Sequence, residues 1–308
     1  MKIVDLHCDI LSKLVENEYS LYNNPYHFDI KRALQVGQRV QFFSLFTYPD
    51  EADACMRQIL LQTTRLLQAF REYPDYIYPL TRSEQLDDQA NRDKLAAVMH
   101  LEGGEALGAN LELIYLLYEL GLRSLALTWN PPNLLAGGVD APEETSGLTP
   151  LGRELINRMN RMGVILDLAH IAPRSFFDVL EFYDKPLMVT HSNAYHLCPH
   201  RRNLKDDQLK ALAQNGGVIG FTQVSDFVKE TSPVIPGDFI DHLVYVAELI
   251  GVESVALGSD FDGADKIVLP SVEAYADMPV LLESRGFSKK EIELILSGNA
   301  LRVIHRLI

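Results

Sequence analysis

Five short apolar stretches of this chain end on residues able to hold metal ions. The first, Ile3-Val4-Asp5-Leu6-His7-Cys8-Asp9, begins almost at Met1. His7 and Asp9 are two residues apart, so on a strand both side chains project the same way. The other endings are Glu102, His170, His191 and Asp260. Imidazole and carboxylate ligands suit Zn²⁺, and a catalytic zinc site keeps one position open for water. Two ions about 3.5–4 Å apart turn a shared water into a strong nucleophile at neutral pH. Cations that close need an anion between them. Glu102, in Met99-His100-Leu101-Glu102-Gly103-Gly104, is the natural bridge, with the two glycines removing side chains that would crowd it. His7 and Asp9 would then hold one ion, and His170 and His191 the other. Asp260, in Gly258-Ser259-Asp260-Phe261-Asp262-Gly263, is expected to take a proton from the attacking water and deliver it to a leaving amine. Its neighbour Asp262 is the better candidate for a turn cap.

The elements that must position these groups are eight short apolar runs of strand length: 3–9, 40–46, 95–102, 124–130, 164–170, 186–191, 217–222 and 254–260. They are rich in Val, Ile and Leu, as buried parallel strands tend to be. Helical spacing fills most of the gaps between them. Thr149-Pro150, followed by Leu151–Met162 and Gly163, supplies an N-cap, a first-turn proline and a C-terminal glycine. Ser288-Lys289-Lys290-Glu291 is a capping box. Alternating strands and crossovers predict a (β/α)8 barrel of the TIM type, one domain over residues 1–308, with the metal site at the C-terminal ends of the strands. A lone His-x-Asp pair, or a histidine closing a strand, is commonplace. Five such coincidences at one barrel end are what carry the reading. The stretches 17–30, 131–147 and 228–237 are the longest irregular ones and are expected to cover a substrate.

Composition narrows the class. A chain of 308 residues with 47% hydrophobic and 23% charged residues is ordinarily globular. Its formal net charge of −14 disfavours nucleic acid or an anionic membrane as partner. Three widely spaced cysteines build neither a disulfide framework nor a structural zinc spacing, so a cytoplasmic setting is expected. Neither a signal-peptide pattern nor an apolar run of membrane-spanning length is evident.

The segments Asp5-Leu6-His7-Cys8-Asp9, Leu101-Glu102-Gly103-Gly104, Leu166-Asp167-Leu168-Ala169-His170, Thr190-His191-Ser192-Asn193-Ala194, Arg201-Arg202-Asn203 and Gly258–Gly263 together resemble the membrane dipeptidase (renal dipeptidase-like) family of zinc peptidases, a branch of the amidohydrolase superfamily. They run in family order from position 5 to position 263, nearly the whole chain. The resemblance implies a dipeptidase with two Zn²⁺ per chain, acting also on dipeptides with a C-terminal D-residue. By these motifs His7 and Asp9 resemble the ligands of one zinc, Glu102 the bridge, His170 and His191 the ligands of the other, and Asp260 the acid/base. Arg202 resembles the arginine that grips the substrate's terminal carboxylate, a role suited to a planar guanidinium fork. The chain departs from the animal members by placing Trp129, its one tryptophan, where they carry a substrate-binding histidine. An indole donates one hydrogen bond but does not titrate, so Trp129 is read as a pocket wall or a donor.

The expected partner is a small dipeptide, with a homodimer as the one assembly left open. The rival readings are another amide hydrolase on the same site, acting on N-acyl amino acids or β-lactams, and a metal-binding barrel without catalysis. Retention of Asp260 speaks against the last, because binding a metal does not require it. Among the other polar residues, His100 is expected one layer below Glu102, as a core histidine or an outer partner of the ligands. Asp167 is expected to face the helices, and Cys8 to point away from the site. His196 and His200 share the loop of Arg202 and are placed within reach of substrate.

Overall fold

The computed structural model describes residues 1–142 and 146–308. Among the described residues nine parallel strands form one sheet: β1 (Ile3–Asp5), β2 (Gln38–Phe46), β3 (Ile77–Pro79), β4 (Leu95–Glu102), β5 (Leu122–Ala126), β6 (Ile165–Asp167), β7 (Met188–Ser192), β8 (Val218–Phe221) and β9 (Val255–Leu257). Eight of them close a ring in the order β1-β2-β4-β5-β6-β7-β8-β9, and β9 pairs back to β1 through Asp5 and Leu257. This is a (β/α)8 barrel of the TIM type. The ninth strand was not anticipated. β3 pairs with the first residues of β4 (Ile77 with Leu95, Pro79 with Ala97), and β5 takes over from Met99 onward. Three residues ending in proline carry too little signal to be read as a strand.

The inward positions of the longer strands change character along the barrel. On β4 the alternate residues Ala96, Val98, His100 and Glu102 run from apolar to polar to acidic, and all are buried. Their partners on β2 are Val40, Phe42, Ser44 and Phe46. At the lower end Val4, Val40, Val98, Ile165, Met188 and Val218 join Ala300, Val303, Ile304 and Leu307 of the last helix, Asn299–Leu307, in one apolar cluster. The final helix therefore stoppers the barrel from below. A larger apolar layer lies between strands and surrounding helices. The expected helix caps form: Thr149 Oγ1 accepts from Gly152 N, Gly163 closes the helix with φ +72°, and Ser288 and Glu291 make the reciprocal box.

Three of the strands leading to site residues stop earlier than the sequence suggests, whereas β4 runs to Glu102 as expected and β7 contains His191. β1 stops at Asp5, β6 at Asp167 and β9 at Leu257. His170, Asp260 and Asp262 instead occupy left-handed turns with φ of +64°, +64° and +69°. Such conformations are uncommon for residues other than glycine and concentrate where function requires them.

Candidate metal centre and active-site cavity

Just above the upper barrel end, the structure brings together all six residues expected to hold metal or move a proton. Glu102, at the end of β4, reaches between two sets of groups. Its Oε2 lies 3.2 Å from His7 Nε2, and its Oε1 lies 2.9 Å from His170 Nε2 and 3.8 Å from His191 Nε2. His7 Nε2 is also 3.2 Å from Asp9 Oδ2. Two overlapping groups, His7/Glu102/His191 and His7/Asp9/Asp260, each offer three ligand atoms within 4.8 Å of one another.

The donor chemistry fits cations. His170 Nδ1 lies 2.8 Å from Asn130 Oδ1, so it carries the proton and leaves the Nε2 lone pair bare. His191 Nδ1 lies 2.9 Å from Thr190 Oγ1, whose own proton goes to Asp167 Oδ2 at 2.7 Å. His191 Nε2 is therefore bare too. The two Nε2 atoms face each other at 2.8 Å beside a carboxylate oxygen, a convergence of acceptors that a bound cation would relieve. His7 Nε2 lies near both carboxylates but aligns with neither as a hydrogen bond, and Asp9 Oδ1 has no hydrogen-bond partner among the described residues. Buried polar atoms without partners are rare unless something else satisfies them.

Charge follows the same division. Burial disfavours a charged His7, yet Glu102 and Asp9 outweigh it and raise its pKa well above the usual imidazole range. Burial, joined by the Arg202 charge, holds His170 at about 3, and burial with the neighbouring cations keeps His191 well below its ordinary value. Glu102 would be raised by burial, but His7 and His170 pull it well below the normal carboxylate range. Asp260 is pushed up to about 7, by burial first and then by Asp9 and Glu102, against the lowering effect of His7. A carboxyl near 7 can both accept and return a proton at neutral pH. Gly263 makes room at this corner, because a Cβ there would collide with Asp260 and Asp9.

Arg202 is buried and donates from Nη2 to His191 O at 3.3 Å, with Phe227 5.6 Å beneath its guanidinium. Burial lowers its pKa to about 10, so it stays charged at neutral pH. Arg202, Asp260, the candidate ligands Asp9, Glu102, His170 and His191, and Trp129 all line one cavity of about 770 Å³. Trp129 forms its aromatic wall with Phe46 (centroids 5.3 Å apart) and Tyr48 (5.6 Å).

Several expectations need correction. The cavity walls come from the helix Ile10–Glu16, the segment 46–50 and the helix Ala52–Glu72; none of the three long irregular stretches lines it among the described residues. Part of the stretch 131–147, residues 143–145, lies outside those residues. Gly103 and Gly104 do not clear space around Glu102. A Cβ at Gly103 would strike Glu105, one at Gly104 would strike Leu135, and Gly103 has φ +91°. Asp167 does not face the helices: β6 ends there, and it receives Thr190 N and Oγ1 beneath the site. His196 stacks on Tyr245 and His200 on Phe227, and neither lines the cavity.

Other placements agree with the reading. Asp262 accepts the backbone N–H groups of His27 and Phe28, as a turn-holding residue should. Cys8 is buried with its thiol toward Asp262. His100 lies beneath the ligands, bonded to Ser124 and edge-on to His7. The sequence reading missed Ser44, whose hydroxyl donates to Glu102 Oε2 at 2.7 Å, along with Asn130, Thr190 and Asp5. Their common signal is a polar side chain inside, or at the edge of, an apolar run.

The family model for membrane dipeptidase, peptidase family M19, matches residues 1–307. Dipeptidase tcpJ of Claviceps purpurea (strain 20.1) is 30% identical over 292 residues, covering 90% of this chain and 68% of that protein. Dipeptidase aclJ of Aspergillus oryzae (strain ATCC 42149 / RIB 40) is 31% identical over 257 residues, covering 81% of this chain and 61% of its own length. A metallopeptidase from Rhodobacter sphaeroides, solved with a phosphinate mimic of the dipeptide L-Ala-D-Ala, superposes with a TM-score of 0.92 at 25% identity, covering 100% of this chain and 99% of that one. The chain belongs to the membrane dipeptidase family, peptidase family M19, and is an enzyme of its metal-dependent dipeptidase class.

Proposed function

We propose that this enzyme hydrolyses the peptide bond of dipeptides, L-Xaa-D-Xaa included, as a two-zinc hydrolase whose catalytic parts all lie in one domain, residues 1–308. The observation that carries the reading is the position of Glu102, with one oxygen toward His7 and the other toward His170 and His191, on a cavity that also presents Asp260 and Arg202. His7 and Asp9 would hold one ion, His170 and His191 the other, and Glu102 both. When bound, the pair would supply Lewis acidity and a water ionised at neutral pH. Zinc is preferred because the donors are imidazoles and carboxylates.

The chain's own groups do the rest. Arg202 takes the free carboxylate of the C-terminal residue, fixing the distance from that end to the scissile carbonyl. Asp260, buried on the same cavity beside the candidate ligands, removes the proton from the attacking water and returns it to the departing amine. Trp129, with Phe46 and Tyr48, walls the pocket beside the substrate. The dipeptide mimic bound by the Rhodobacter relative supports the L,D assignment. The breadth of the cavity favours N-acyl amino acids as a second substrate class, since they keep the carboxylate that Arg202 would grip. A cytoplasmic location is supported by Cys8, Cys55 and Cys198, which are free and buried thiols. Among the described residues no helix is long and apolar enough to cross a membrane.

The test is amine release by zinc-loaded protein from a panel of L,L and L,D dipeptides and N-acyl amino acids, with chelated protein and Asp260→Asn alongside. Turnover of dipeptides that disappears in both controls is expected. Turnover of N-acyl amino acids alone would replace the dipeptide assignment.

A further inference from the structure

We propose that the buried aspartates Asp5 and Asp167 are positioning residues, each governing one half of the two-ion centre. This rests on the two-ion reading above. Asp5 is the last residue of β1 and Asp167 the last of β6, and both side chains are fully buried. Each gathers two segments that bear site residues on one carboxylate. Asp5 Oδ1 accepts from His7 N at 3.2 Å and from Ser259 N, the residue before Asp260, at 2.9 Å; its Oδ2 accepts from Tyr275 Oη at 2.9 Å. Asp167 Oδ1 accepts from Ala169 N, the residue before His170, at 3.0 Å and from Thr190 N, the residue before His191, at 2.8 Å. Its Oδ2 accepts from Thr190 Oγ1 at 2.7 Å. Asp5 thus ties the His7 turn to the Asp260 turn, and Asp167 ties the His170 turn to the His191 strand.

Asp167 also sets a tautomer. Thr190 has a single hydroxyl proton, and a carboxylate can only accept it. The hydroxyl oxygen must then accept from His191 Nδ1–H, which directs the Nε2 lone pair to the site. In Asp167→Asn the amide N–H₂ can face the hydroxyl instead. Thr190 would then donate to His191 Nδ1, moving the imidazole proton to Nε2 and cancelling a ligand. Outer partners of this kind typically change metal affinity about 10–100-fold.

Two readouts test the proposal: calorimetric titration of metal-stripped protein with Zn²⁺, and ¹⁵N NMR of the His191 ring. Wild type is expected to take two ions and to show protonated Nδ1. Asp167→Asn and Thr190→Val should weaken one ion about 10–100-fold and lose the Nδ1–H signature, while Thr190→Ser restores both. Asp5→Asn and the milder Tyr275→Phe should weaken the other ion and leave the His191 ring unchanged. Folded variants that weaken both ions equally or neither, or that keep the wild-type tautomer in Asp167→Asn, would overturn it. A wild type that takes only one ion would refute the two-ion reading, while the ring signal still decides the role of Asp167.

Discussion

The two ends of this barrel are built on opposite principles. Below, apolar side chains from strands that include β1, β4, β6, β7 and β9 meet Ala300, Val303, Ile304 and Leu307, all but Leu307 nearly or fully sealed from solvent. Above, the same strands deliver converging imidazoles and carboxylates, an unpartnered Asp9 oxygen and two left-handed residues that bear chemistry, His170 and Asp260. The lower end maximises burial and satisfied contacts. The upper end is buried as well, but forgoes satisfied contacts to hold lone pairs and charge in place. In such barrels the stability of one end lets the other remain strained and electrostatically unsatisfied.

Substitutions at the two ends should therefore separate activity from stability. Asp260→Asn is expected to have the largest effect, lowering kcat about 10²–10⁴-fold with the fold intact; steady-state assay and thermal melting check the two halves of that statement. The same change should stabilise the metal-stripped protein. Asp260 has a higher pKa folded than unfolded, so its ionisation costs nothing below about pH 4 and progressively destabilises the fold up to about pH 7. The stability advantage of the asparagine variant over wild type should accordingly grow across that window, as denaturant melts at several pH values would reveal. At the lower end, Ile304→Ala should cost about 2–5 kcal/mol of stability and leave kcat unchanged. Loss of kcat with no change in denaturation midpoint would break the comparison.

Smaller effects sharpen it. Arg202→Lys keeps the charge but loses the planar fork, and should lower kcat/KM about 10–100-fold, mainly through KM. An equal loss on a substrate whose C-terminal carboxylate is amidated would contradict the assigned contact. Trp129→Phe should change KM only about 2–10-fold, the scale of one aromatic contact. A collapse of kcat would instead make the indole N–H a participant in the reaction.

Where the two ends differ also explains what the sequence could convey. The eight runs were legible because parallel strands buried on both faces must be apolar, and Thr149-Pro150, Gly163 and Ser288 announced their helix ends through capping chemistry. The candidate site residues were legible by type, since a histidine or carboxylate closing an apolar run is costly without a purpose. Their local geometry was not. Counting by twos fails once β6 ends at Asp167 and His170 turns left-handed, which is why Asp167 faces the site layer rather than the helices. The walls of the cavity were hidden for another reason: the segments that form the helices Ile10–Glu16 and Ala52–Glu72 carry no pattern that marks a site, and only closure of the barrel brings them over the mouth.

The measurement that bears most directly on the central claim is a zinc-edge anomalous difference map from crystals of zinc-loaded protein. The account predicts two peaks per chain flanking Glu102, one beside His7 and Asp9 and the other beside His170 and His191. A single peak, or peaks remote from Glu102, would contradict it.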